Sequence, residues 1–410
     1  AQAPHGALTT QSRAYPKVAK PHMILTDEQR ALRDTAQRFA EQKLLPDYQK
    51  REASERLDRD LVREMGELGL IAPDLPEQYG GLGASGLTTG ILIEQIGWGD
   101  INVSYVPLMA SLTGKVIAGH AQPALAEYWL PRMINGESIV ALGLTEPRGG
   151  SDAANLVLKA RRDGDSWVLN GEKTSISFAD QADAIVLFAR TGAVEDGARG
   201  ISAFLVPLTL PGVQRTHFND SGSKIIGRGS VFFDDVRIPA DHLLGDENKG
   251  FVQVMQGFDY SRVLIALQCI GSAQASLDEA WAYTKERLAF GAPLAQYQGV
   301  SFPLAEYDTL VAATRQLCYH ALELRDAGEA HTAEAAMVKW LGPKTSVDTI
   351  HQCLLTFGHY GWSMDLPHQQ RLRDVMGLEI GDGTAQVMKL IVARERAGRI
   401  AVQYAKDSKR

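Results

Sequence analysis

The chain has 410 residues, 45% hydrophobic and 22% charged, the balance of a globular protein large enough for two or three packed regions. Its formal net charge of -7 argues against nucleic acid as a principal partner, and no apolar run approaches the roughly 20 residues that a bilayer-crossing helix needs. Cys269, Cys318 and Cys353 are widely separated within helical patterns, giving neither a CxxC metal motif nor a disulfide framework, so no metal is expected and a reducing cytoplasm fits.

Residues 1–22 hold Pro4, Pro16 and Pro21 and no acidic side chain; they read as a tail, a transit-peptide remnant or, as expected here, an expression tail ahead of a native start at Met23. Thr26, Asp27, Glu28 and Gln29 give a cap-like helix start before Leu32, Ala36, Phe39 and Ala40 on one face. Leu57, Leu61, Met65 and Leu68 repeat the helical spacing. The run YGGLGASG, Tyr79 to Gly86, formally contains GxGxxG, but no strand precedes it; a tight interhelix loop is the better reading than a dinucleotide site. Helical patterns resume through Ile93 and Ile96 to about Trp129, which makes 23–138 an α-helical domain.

Between 139 and 245 the pattern changes to short runs rich in β-branched and aromatic residues: Trp167 to Leu169, Ala184 to Phe188, Ala203 to Val206 and Val231 to Phe233. Asp-Gly, Asn-Gly and Pro-Gly turns separate them, which predicts an antiparallel, barrel-like β domain. From 246 to 410 the chain is helical again. One long helix carries Leu264, Leu267, Ile270, Leu277 and Trp281; another carries Leu304, Leu310, Leu317 and Leu324; further runs lie around 333–355 and 384–404. The fold class is therefore α+β multidomain, with a β domain between two helical ones.

The most informative stretch is Gly377 to Arg394, GLEIGDGTAQVMKLIVAR. Asp382 stands between two glycines that let the backbone approach a ligand closely, and Thr384 is a plausible cap for the helix that follows. Such a carboxylate suits the mouth of a pocket, where it takes a proton from carbon; a polar helix-start turn is the equally weighted bland reading. Asp259 and Arg262, three apart on one helical face, either pair with each other or meet a ligand. Asp100, in GWGDIN, reads as a surface aspartate at a helix end more readily than as a second acid.

Five segments together carry a resemblance to the flavin-dependent acyl-CoA dehydrogenase family, spanning about Met23 to Lys406. LTEPRGGSD (Leu144 to Asp152) resembles the family's TEPxxGSD segment, and NGEK (Asn170 to Lys173) the approach to its flavin-flanking strand. FDDVRIP (Phe233 to Pro239) resembles the end of its β domain, RLAFGAPLAQYQ (Arg287 to Gln298) its RxxFGxPxxxxQ signature, and the Asp382 stretch its EGT motif. The resemblance implies FAD as cofactor, with contacts from Leu144, Thr145, Gly150 and Ser151, from Ser175 and Ser177, and from Thr384 and Gln386. It places Arg287, Phe290 and Gln298 on the FAD of a neighbouring subunit, which implies a homo-oligomer, with a tetramer expected. For the acyl-CoA substrate it implies Ser151, Asp259, Arg262, Gly383 and Arg394.

By the same resemblance Asp382 removes the α-proton of a thioester while a hydride leaves the β-carbon for the flavin, and an electron-transfer flavoprotein accepts the electrons. Some branches supply the base from the position of Ser261; serine cannot serve, so Asp382 is the candidate. Departures matter as much as matches. Asp382 replaces the usual Glu and is shorter by one methylene, on the order of 1.5 Å of reach. Ser175 stands where a tryptophan is usual beside the flavin, Ser177 where threonine is common, and Leu355 and His359 where Gln and Gly are usual. Asp382 with Ser175 resembles the branch acting on alicyclic thioesters such as cyclohexanecarboxyl-CoA or cyclohexenecarboxyl-CoA. Two alternatives share the fold: an oxidase resembling nitroalkane oxidase, and a non-catalytic flavin-binding protein resembling the alkylation-response branch, which the acidic charge disfavours.

Overall fold

The structure, a computed structural model, describes residues 25–401; the expected tail 1–22, Met23 and the end of the pattern expected to reach 404 lie outside them. The N-terminal region is helical: α1 (Asp27–Phe39), α2 (Tyr48–Glu52), α3 (Arg59–Glu67), α4 (Gly86–Gly99), α5 (Tyr105–His120) and α6 (Pro123–Ile134). α1 opens on a capping box in which the Thr26 hydroxyl accepts from the Gln29 amide and the Gln29 side chain accepts from the Thr26 amide. The glycine run at 81–86 connects α3 to α4 with no strand before it, as expected of an interhelix loop.

The middle region holds β1 (Val140–Gly143), β2 (Lys159–Asp163), β3 (Ser166–Ile176), β4 (Ala184–Arg190), β5 (Ile201–Pro207), β6 (Val213–Arg215), β7 (Gly229–Pro239) and β8 (Leu243–Leu244). Spatial order is β6-β7-β3-β2-β4-β5-β8, with β1 also on β4. The long hairpins are antiparallel, but β1 runs parallel to β4 and β2 meets β4 in parallel at Lys159 and Arg190. The sheet is thus mixed rather than wholly antiparallel. Turn residues such as Gly164 fix only sequential pairs like β2 with β3, whereas β1 reaches β4 across an intervening hairpin. Trp167 and Phe204 pack edge to face, 5.2 Å between centroids, inside this layer.

The C-terminal region begins with α7 (Gly250–Glu286), followed by a hairpin of β9 (Leu288–Ala289) and β10 (Ala292–Pro293). Then come α8 (Gln298–Asp326), α9 (Thr332–Thr356), α10 (His359–Trp362), α11 (His368–Met376) and α12 (Ala385–Ala397). α7 is about 55 Å long at 1.5 Å per residue and is the spine of the molecule. It crosses α4 at backbone distance: a Cβ on Gly271 would lie 2.3 Å from the Glu94 carbonyl oxygen, and one on Gly97 2.7 Å from that of Gln268. The Asp326 carboxylate, at the end of α8, accepts both the Gly86 and Leu87 amides at 2.9 Å, placing negative charge at the positive end of α4. Cys269, Cys318 and Cys353 are buried free thiols on α7, α8 and α9.

α11 is anchored to α7 by Arg371, whose guanidinium makes two 2.8 Å bonds to Glu279, and by His368, whose Nδ1 lies 3.2 Å from the Ser276 hydroxyl. Burial lowers the His368 pKa from 6.5 to about 4, against the pull of Glu279. The unfolded chain therefore binds a proton that the native state refuses between pH 6.5 and 4, so this group's contribution is lost as pH falls through that window. Asp374, raised by burial to about 6, works in the opposite sense between pH 6 and 3.8. The His368→Asn variant is expected to lose less thermal stability between pH 6.5 and 5 than the parent in circular-dichroism melts; equal losses would contradict this assignment.

Candidate functional site

The Asp382 loop lies between a short 3₁₀ turn, Gly377–Glu379, and α12, which Thr384 caps by accepting from the Val387 amide at 3.3 Å. Asp382 has φ +59°, a left-handed conformation that Asp tolerates better than most residues and that a loop keeps only when its surroundings hold it there. Its carboxylate Oδ2 accepts a 2.8 Å hydrogen bond from the Ser261 hydroxyl, itself fully buried on α7. The two positions that the sequence weighed as alternative sources of a base thus face a single point.

Around that point α7 and α9 supply charge. Arg262 bonds the Asp259 carboxylate at 2.8 Å, and Asp259 accepts the Thr332 hydroxyl at 2.6 Å, so the pairing read from their spacing is present. It does not exhaust Arg262, whose Nε is buried with no hydrogen-bond partner among the described residues. Lys339, buried on α9, donates to the Leu378 carbonyl at 2.8 Å and the Gly383 carbonyl at 3.1 Å. Sequence reading passed over Lys339; the signal was a lysine in the otherwise small and apolar run Ala335 to Trp340. Gly383 thus enters the site through its carbonyl, while Arg394 lies exposed on α12, paired with Glu395 at 3.0 Å.

The β domain adjoins through Asp374, eight residues before Asp382 in the chain. Its buried carboxylate accepts from the Ser223 amide (2.6 Å), the Tyr48 hydroxyl (2.6 Å) and the Asn102 amide (2.8 Å), tying all three regions together. Tyr105, at the start of α5, comes within electrostatic reach of Cys269, Asp374 and Asp382, and burial drives its phenol pKa well upward. Neither residue was singled out from sequence. Asp100, expected at the surface, is instead buried and bonded to Arg51 Nε at 2.7 Å and to the Asn102 and Val103 amides. It is a structural anchor, and its pairing with Arg51 leaves no role as a second acid.

The Leu144 to Ser151 loop is pinned to β3. Lys173, with no exposed surface, donates to the Leu144 carbonyl at 3.0 Å and to Glu146 at 2.8 Å, and the Thr174 amide donates to the Thr145 carbonyl at 2.9 Å. This sets Thr145, with Gly150 packed near it, against the end of β3 that carries Ser175 and leads into Ser177. Ser175 is exposed at φ +57°, and its hydroxyl accepts from Arg228 at 3.0 Å, where a larger side chain was expected from the resemblance. These hydroxyls and main-chain groups are exposed or half-buried rather than used up in the core, a donor set that fits the polar edge and phosphates of FAD. Arg287, Phe290 and Gln298 are not brought to this cluster. All three are exposed: Arg287 caps the end of α7, Phe290, 100% exposed, is at the turn of the β9–β10 hairpin, and Gln298 opens α8; the 25 residues from Arg262 to Arg287 span about 37 Å along α7.

Three family models match in sequence order: the acyl-CoA dehydrogenase N-terminal domain over residues 26–137, middle domain over 141–236 and C-terminal domain over 248–396. The mitochondrial short-chain specific acyl-CoA dehydrogenase of Rattus norvegicus is 35% identical over 371 residues, 90% of each chain. Butyryl-CoA dehydrogenase from Megasphaera elsdenii superposes with a TM-score of 0.88 at 30% identity, covering 92% of this chain and 100% of that one. A glutaryl-coenzyme A dehydrogenase in complex with glutaryl-CoA superposes with a TM-score of 0.89 at 30% identity, over 92% and 97% of the two chains. With its three regions matched in order and a site built at their junction, this chain belongs to the acyl-CoA dehydrogenase family.

Proposed function

We propose that this FAD-dependent oxidoreductase of acyl-CoA thioesters uses Asp382 as its base and takes a compact alicyclic or α-branched acyl group. The observation that carries the reading is the Asp382 carboxylate held by Ser261 in a seam lined by Arg262 and Lys339. Ser261 engages Oδ2 and leaves Oδ1 to take the α-proton. The Asp382 amide is the donor proposed for the thioester carbonyl oxygen, where negative charge develops as the proton leaves, a ribityl hydroxyl of FAD would be the second, and the Arg262 guanidinium lends positive charge nearby. The thioester also expels water from the half-buried carboxylate. Thr145, Gly150, Ser151, Ser175, Ser177 and Thr384 would hold FAD, which would supply the hydride acceptor.

An aspartate reaches on the order of 1.5 Å less far than a glutamate, so the α-carbon must stand closer to the loop. A ring whose α-carbon carries a second substituent is broad at that point, and Ser175 in place of an indole leaves room near the flavin side. Electron-transfer flavoprotein is the proposed acceptor of the electrons. Arg287, Phe290 and Gln298, exposed at the end of α7 about 37 Å along the helix from Arg262, are proposed to reach the FAD of a second copy in a homo-oligomer.

Anaerobic mixing with straight, branched and cyclic acyl-CoAs, following loss of the oxidised-flavin band, tests the substrate class. Cyclohexanecarboxyl-CoA or an α-branched thioester is expected to bleach the flavin faster than butyryl-CoA or octanoyl-CoA. The reverse order would dispose of the alicyclic reading and leave a short straight-chain enzyme.

A further inference from the structure

We propose that Lys339 is a positioning residue for Asp382: its buried ammonium staples the two ends of the loop from Leu378 to Gly383 and is the counter-charge that keeps the carboxylate in place. The inference rests on Asp382 being the base. Lys339 is 1% exposed and sits mid-helix on α9, yet its two hydrogen-bond partners are main-chain carbonyls 39 and 44 residues away, one on each side of Asp382. Two carbonyls alone are a poor reason to bury a cation, because a neutral donor or a water would satisfy them without the desolvation cost of a charge. That cost is visible in the Lys339 pKa, which burial lowers and the Asp382 carboxylate pulls back up. Cys269 and Glu379 also favour the cation and Arg262 opposes it, so Asp382 is the largest of the charges that hold it.

The geometry explains how a non-glycine residue stays left-handed at φ +59° beside Gly383 at φ +102°. With both ends of the loop tied to one ammonium, the turn cannot relax toward right-handed backbone without breaking a bond to a buried charge. Ser261 then fixes one carboxylate oxygen, and Lys339 fixes the backbone from which the carboxylate hangs. Proton transfer depends steeply on the placement of the base, so a loop loosened by an ångström loses rate while the remote contacts to a CoA ester persist.

The test compares Lys339→Met and Lys339→Gln with the parent as full-length, FAD-loaded protein. Three quantities are read: crotonyl-CoA affinity from the flavin spectral shift, the rate of anaerobic flavin reduction, and amide hydrogen exchange in the peptide covering 377–384. Lys339→Met is expected to bind crotonyl-CoA within threefold of the parent, to lose reduction rate at least a hundredfold and to exchange faster in that peptide. Lys339→Gln, which keeps a donor but no charge, is expected to lose at least tenfold in rate. Reduction within threefold of the parent in either variant overturns the proposal. So does a parallel loss of FAD or of crotonyl-CoA binding in both, which would make Lys339 a mere core strut. A parent that no acyl-CoA bleaches would instead sink the dehydrogenase mechanism itself.

Discussion

Asp382→Asn is expected to retain FAD and the fold while losing at least a thousandfold in the rate of flavin reduction by its best acyl-CoA. The variant is close to isosteric, and asparagine adopts the left-handed backbone at φ +59° as readily as aspartate, so the loop has no reason to rearrange. The amide oxygen still accepts the Ser261 hydroxyl now 2.8 Å from Oδ2. What disappears is the capacity to take a proton. General-base removal costs typically 10²- to 10⁴-fold, and the upper part of that range applies because among the described residues no other carboxylate bonds Ser261. Stopped-flow reduction under anaerobic conditions, with FAD content checked by absorbance, is the measurement. Parent-like rates in the variant would strip Asp382 of the role. Asp382→Ala is a weaker test, since alanine at positive φ strains the loop and mixes structural with chemical loss.

What could be read in the sequence follows from what is local. The α1 start was legible because Thr26 and Gln29 cap each other three residues apart, and β3 and β7 because Trp167 and Val231 fall in short β-rich runs bounded by turns. Asp382 was legible through its flanking glycines and the Thr384 cap, both neighbours in the chain. The parallel contact of β1 with β4 was not, since nothing at Val140 records that its partner is Ala184. Asp100 was misplaced for the same reason: a helix-end aspartate looks solvated until Arg51, 49 residues upstream, is seen against it. Ser261 was named as a site that lacks a base, and only folding shows its hydroxyl on the Asp382 carboxylate, 121 residues later. Lys339 is the extreme case, a charge whose bonding partners are carbonyls that no side-chain pattern reports.

Removing Lys173 is expected to be the most destabilising single change near the cofactor loop. Lys173 and Glu146 are 0% and 4% exposed, and Glu146 also accepts the Val157 and Leu158 amides at 2.7 and 2.9 Å. Lys173→Met leaves that carboxylate buried without its cation, a loss of about 3–5 kcal/mol, and frees the Leu144 carbonyl that the ammonium holds at 3.0 Å. Urea unfolding should show the drop as a lower midpoint at unchanged slope, and FAD affinity should fall at least tenfold because the loop from Leu144 to Ser151 loses its anchor to β3. Adding Glu146→Gln removes the stranded charge and should recover part of the stability but not of the FAD affinity. The pH dependence supplies an independent check. Burial lowers the Lys173 pKa from 10.5 to about 8, with Glu146 pulling it back up, so between those values the unfolded chain binds a proton that the native state has released. Parent stability therefore gains a contribution as pH rises from about 8 toward 10.5, and Lys173→Met should lack that gain. A variant with the parent's midpoint and FAD affinity would mean the ion pair neither holds the loop nor carries a buried charge of consequence.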